Sequence, residues 1–123
     1  MFELTVEDHF AAAHYLSHYQ GKCERLHGHN WNVQITIRGE QLDKAGLLMD
    51  FGLLKSSLRD VLAVLDHRLL NELDHFQGAS VSSEKIAIFI HEQLAPRIHE
   101  HGAVLCRVSV WESPSACATY IPE

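Results

Sequence analysis

Cys23-Glu24-Arg25-Leu26-His27-Gly28-His29 brings a thiol and two imidazoles into one short stretch. If His27 and His29 lie on a strand, their spacing sends both rings to the same side of the sheet, and Gly28 leaves the other side open. His14, at the end of an earlier strand-like region, offers a third nitrogen. Three neutral imidazoles with a fourth position free is the donor pattern of catalytic zinc, whereas structural zinc is closed by four ligands. The bland alternative is chance. A chain with ten histidines carries a His-x-His pair about once at random, and His99-Glu100-His101 is a second one at an expected helix end.

Other groups acquire meaning only in company. Cys23 sits beside Lys22 and Arg25, and with a cation nearby its thiol would ionise readily into a base or nucleophile. Cys106 and Cys117 fall in strand-like segments and read as small buried hydrophobes. Asp66-His67 follows an apolar helical stripe, and a carboxylate next to an imidazole can orient it and raise its basicity. Solvation of a helix end explains the same pair. Glu112, between Trp111 and a turn, can accept paired N–H donors from a heterocycle, or be a solvated strand-end charge.

Elements must hold these groups. Residues 2–7 alternate apolar and polar, as do Trp31 to Arg38 and Val104 to Val110, the last with Val104, Cys106, Val108 and Val110 as its apolar set. Asp50 caps a helix with Phe51, Leu54, Leu58, Val61, Leu62 and Leu65 on one stripe. Ser82 or Ser83 caps a second, with Ile86, Phe89, Ile90 and Leu94 inward, and Pro96 is expected to kink or end it. Ser113-Pro114-Ser115 turns into a last strand over 116–121. The predicted fold class is α+β: a four-stranded antiparallel sheet with two helices on one face, in the order ββααββ. Glu3, Thr5, Asn32, Gln34, Thr36 and Arg107 make its other face too polar for a second core.

The bulk properties exclude several classes. At 123 residues the chain is one ordinary domain, 46% hydrophobic and 21% charged, which is unlike a disordered tail or a repeat. A net charge of −6 argues against a nucleic-acid partner. No apolar run is long enough for a membrane span, and the start lacks the pattern of a secretory signal. Three cysteines form no disulfide framework, so the expected location is cytoplasmic.

Taken in order, six segments cover the chain nearly end to end. They are Phe10-Ala11-Ala12-Ala13-His14, Cys23-x3-His27-Gly28-His29, Leu48-Met49-Asp50-Phe51, Leu65-Asp66-His67, Ser82-Ser83-Glu84 and Val110-Trp111-Glu112. Their order and spacing resemble the 6-pyruvoyl-tetrahydropterin synthase / 6-carboxytetrahydropterin synthase family. The resemblance implies a tunnelling fold (T-fold) over residues 1–123, with sheets of several subunits joined into a barrel. A homo-oligomer, a dimer of trimers with active sites at subunit seams, is implied too, and the polar sheet face would then line the lumen. It implies Zn2+ on His14, His27 and His29, Cys23 as the proton-abstracting base, and Asp66 with His67 as an acid/base relay. Glu112 would anchor the pterin ring, and Ser82 and Ser83 would line its pocket.

The implied substrate is 7,8-dihydroneopterin triphosphate. The three-residue interval between Cys23 and His27 resembles the bacterial 6-carboxy-5,6,7,8-tetrahydropterin synthases of the queuosine (7-deazapurine) route, which release acetaldehyde and triphosphate. The alternatives are the 6-pyruvoyl branch, which eliminates triphosphate without cleaving the side chain, and a pterin- or metal-binding module without catalysis.

Overall fold

The chain runs β1 (Phe2–His14), β2 (His27–Gly39), α1 (Phe51–Leu62), β3 (Arg68–Leu69), α2 (Ser83–His99), β4 (Val104–Ser113) and β5 (Ala116–Tyr120). The structure, a computed structural model, describes residues 1–20, 24–77 and 79–123. β1 extends far beyond its alternating start because it pairs with β2 from Phe2↔Gly39 to His14↔His27. Ala11, Ala12 and Ala13 have little intrinsic strand preference, and the ladder overrides it.

The sheet has the order β3-β1-β2-β4-β5, five strands rather than the four expected. The addition is β3, which pairs parallel to β1 through Ala12↔Arg68 and Ala13↔Leu69. Two residues are too few to show a period, so a strand this short leaves no pattern in the sequence. The element order is therefore ββαβαββ, still α+β.

Both helices cover one face. Leu54, Leu58, Val61 and Leu62 of α1 and Ile86, Phe89, Ile90, Leu94 and Ile98 of α2 bury against Val6, Phe10, Trp31, Val33, Ile35, Val108 and Val110. Each such side chain contributes about 2 kcal/mol. Asp50 caps α1 by accepting from Gly52 N, as expected. Phe51, however, is exposed, and Leu65 is buried from the turn beyond the helix. Pro96 does not end α2, which continues to His99. The carbonyl left without its donor belongs to Glu92, on the exposed side of the helix, where water can satisfy it.

β4 corrects the expected apolar set. Thr36 pairs with Arg107 but Ile37 with Leu105, so Cys106 is an extra residue in a bulge. A bulge inverts the alternation across it, so Leu105 is buried while Val104 is exposed and Cys106 only half-buried. Cys117 is exposed, not buried, because on β5 it pairs with Trp111 and shares the outer face. That face is polar, as expected, and laterally tied. Thr5 bonds Thr36 at 3.0 Å, Gln34 donates to Glu7 at 3.2 Å, and Ser109 bonds Thr119 at 2.7 Å. Thr36 is consequently buried by its neighbours.

Candidate metal centre

Pairing of β1 with β2 puts His14 opposite His27, and His29 lies one pleat further on the same face. The three rings pack edge to face, with centroids 4.6 Å apart for His14 and His27, 5.3 Å for His14 and His29, and 4.7 Å for His27 and His29. Trp31, fully buried on the same face of β2, is their floor, 4.8 Å from His14 and 5.2 Å from His29. Its indole N–H donates to the Ala12 carbonyl at 3.2 Å, which fixes the plane of that floor.

Backbone carbonyls set the protonation of two rings. His14 Nδ1 lies 2.6 Å from the Val81 oxygen and His27 Nδ1 2.9 Å from the Arg25 oxygen. A carbonyl only accepts, so both Nδ1 atoms carry a proton, and in the neutral tautomer this selects each Nε2 keeps its lone pair. Burial pushes the His14 pKa below its ordinary value, against the opposing pull of the bond to Val81, so the ring is held neutral. The two Nε2 atoms face each other at 3.1 Å, and with both rings in this neutral tautomer no hydrogen lies between them. His29 Nε2 is buried and has no hydrogen-bond partner among the described residues. Three orphaned nitrogens converging in this way fit a metal ion. Two nitrogens on a tetrahedral ion at about 2.0 Å stand about 3.3 Å apart, close to the spacing seen.

Glu112 joins them. Together the three histidines and Glu112 offer donor atoms all within 4.8 Å of one another. Glu112 is itself the extra residue of a second bulge, since Trp111 pairs with Cys117 and Ser113 with Ala116. Ser83 donates to its Oε2 at 3.3 Å, whereas the Ser82 hydroxyl is occupied in capping α2 through Lys85 N at 3.2 Å. A cleft of ≈ 240 Å³ beside Glu112 is lined by Ser83, Ser113 and Cys117.

Asp66 and His67 sit elsewhere, at the β1–β3 edge. The Asp66 Oδ1 accepts from Ala11 N at 2.9 Å, His67 N donates back to the Ala11 carbonyl, and Asp66 Oδ2 contacts His67 Nδ1 at 2.9 Å. The Ala11 N–H, and after it the His67 side chain, hold the Asp66 carboxyl below the usual carboxylate range. His67 has φ 58°, a left-handed conformation that costs a non-glycine residue roughly 1 kcal/mol. Its ring is 81% exposed and is not among the donors grouped at the metal centre.

Residues 3–123 match the family described as 6-pyruvoyl tetrahydropterin synthase. The chain belongs to this family. Among relatives, the 6-carboxy-5,6,7,8-tetrahydropterin synthase of Bacillus subtilis is 31% identical, over 99% of this chain and 86% of the relative. That of Synechocystis is 34% identical, over 98% and 93%. The solved 6-pyruvoyl tetrahydropterin synthase of Caenorhabditis elegans superposes with a TM-score of 0.81 at 29% identity, covering 100% of this chain and 98% of that one. The T-fold expected from the sequence is therefore the fold observed, with the strand count corrected.

Within this synthase-family fold, the structure gathers His14, His27, His29, Glu112 and Ser83, and keeps Asp66 and His67 apart. Cys23 lies outside the described residues. Glu24, the residue after it, donates its N–H to Leu16 O at 2.8 Å, and its carboxylate accepts from Leu16 N at 3.3 Å. Asn71 was invisible to sequence reasoning, yet it clamps the residue after His14, accepting from Tyr15 N at 3.0 Å and donating to Tyr15 O at 2.9 Å. Its burial is the signal, and burial is not written in a single sequence. The Val81 and Arg25 carbonyls were equally hidden, because every residue type carries one. No helix among the described residues is long and apolar enough to cross a membrane.

Proposed function

We propose that the chain is a zinc-dependent 6-carboxy-5,6,7,8-tetrahydropterin synthase acting in the queuosine (7-deazapurine) route in the cytoplasm. It takes 7,8-dihydroneopterin triphosphate and releases acetaldehyde and triphosphate. The observation that carries the reading is the convergence of three orphaned imidazole nitrogens in a pterin-synthase fold. His14, His27 and His29 hold the Zn2+, which when bound polarises side-chain oxygens and makes neighbouring carbon-bound protons removable.

The chain's own residues do the rest. Cys23 takes the proton. Asp66 keeps His67 oriented as the second proton carrier, with the carboxylate held ionised by the Ala11 N–H. Glu112 accepts the N–H donors of the pterin ring, and Ser83 orients the carboxylate. Ser82 supports the pocket through the helix cap rather than by direct contact.

The separation of the dyad from the metal centre supports a seam site in a homo-oligomer, a dimer of trimers, in which His67 serves a neighbouring subunit. The names of the bacterial relatives and the short Cys23-to-His27 interval favour the carboxy product. Mass spectrometry of the pterin product, with a parallel acetaldehyde assay, is the test. Acetaldehyde in step with triphosphate supports the reading. Triphosphate with a pyruvoyl pterin and no acetaldehyde moves the chain to the other branch, and intact substrate moves it to a binding module.

A further inference from the structure

The Glu112 carboxylate is in an odd place for a group that only waits for a pterin ring. Its Oε1 stands 3.2 Å from His29 Nε2, yet that nitrogen makes no hydrogen bond. A carboxylate oxygen this close to an imidazole nitrogen is held there by positive charge between them, supplied by a ring proton or by a metal ion. The bulge at Glu112 turns the strand there, Ser83 holds the other oxygen at 3.3 Å, and the carboxylate shares the 4.8 Å grouping of the three imidazoles. Carboxylate and imidazole together are an ordinary donor set for zinc.

We infer that Glu112 is the fourth donor of the metal centre in the pterin-free protein, and that a pterin ring draws it off and so opens a coordination position. The inference rests on the proposed metal reading and adds to it. A ring presenting two N–H donors requires both carboxylate oxygens, and neither is free while one faces the metal and the other Ser83. Ring binding and metal closure therefore compete for one side chain. The open position arises only once a pterin is seated, which guards the centre against stray anions.

The test uses full-length protein loaded with Co2+, whose visible absorption reports its donors, and azide as a probe of an open position. If Glu112 closes the centre in nine molecules of ten, azide affinity in the wild type is reduced about tenfold relative to an open site. Glu112→Gln and Glu112→Ala should therefore each bind azide about tenfold more tightly. Unsubstituted pterin should raise azide affinity in the wild type and leave both variants unchanged. Equal azide affinity in wild type and variants, or no effect of pterin on the wild type, overturns the inference. The metal reading fails separately, if wild type takes up no Co2+ or His27→Ala takes up as much.

Discussion

The metal end of β1 and the Asp66–His67 corner, which bonds to Ala11 of the same strand from the turn before β3, are built in opposite ways. At His14 the ring is 2% exposed, its Nδ1 is committed to Val81, and Trp31 backs it. At His67 the ring is 81% exposed, a single side chain orients it, and the backbone is strained. The first region is finished within one chain: burial and carbonyl bonds choose the tautomers before any ligand arrives. The second has its carboxylate locked and its imidazole presented outward. In the proposed function His67 is a proton carrier, and its exposed ring is what motivates placing the rest of its site on a neighbouring chain.

That contrast can be broken most sharply at the metal end. His27→Ala should lose most of the bound metal, because a three-imidazole set cut to two binds weakly. Elemental analysis of protein purified without added metal checks it, and full retention would remove His27 from the ligand set. Cys23→Ala should keep its metal but lose turnover by two orders or more, the usual scale for a positioned base. Normal turnover would end that assignment.

The dyad offers a sharper discriminator. His67→Ala and His27→Ala should each be inactive alone, yet co-refolded equal mixtures should recover about a quarter of wild-type turnover, because a seam site can draw its two halves from different chains. Recovery of nothing, with mixed oligomers verified by mass, would show that one chain supplies both halves.

The smallest effect concerns pH. The His14 pKa is lowered on folding, so the unfolded chain binds the extra proton first. Its contribution to stability is therefore full above the ordinary value of 6.5 and falls as pH drops below it. In metal-free protein the thermal midpoint should decline by a few degrees across that window, and His14→Gln should flatten the decline. An unchanged slope would show that His14 does not carry it. Asp66 behaves differently, since its lowered pKa keeps its own carboxylate ionised further into acid than an ordinary carboxylate.

Legibility followed the same division. Asp50, Ser82 and the apolar stripes of α1 and α2 were readable because capping and periodicity are local. The β3 strand, the Cys106 bulge and the passage of α2 through Pro96 were not, since each depends on what a neighbouring element or solvent supplies. Residues 27 and 29 could be paired by their spacing, and His14 could be joined to them once the family segments were seen in order.

The sequence by itself determined which chemistry the chain owns: imidazoles two apart, a thiol four residues before them, a carboxylate next to a histidine, and a glutamate at a strand end. Those are identities and short intervals, and they survive without a fold. Only the tertiary structure decided which nitrogens keep their lone pairs, that Glu112 leans onto His29, and that His67 faces away. Each of these depends on a long-range strand register, a bulge or a backbone carbonyl, and none of the three is encoded in the type of the residue it controls.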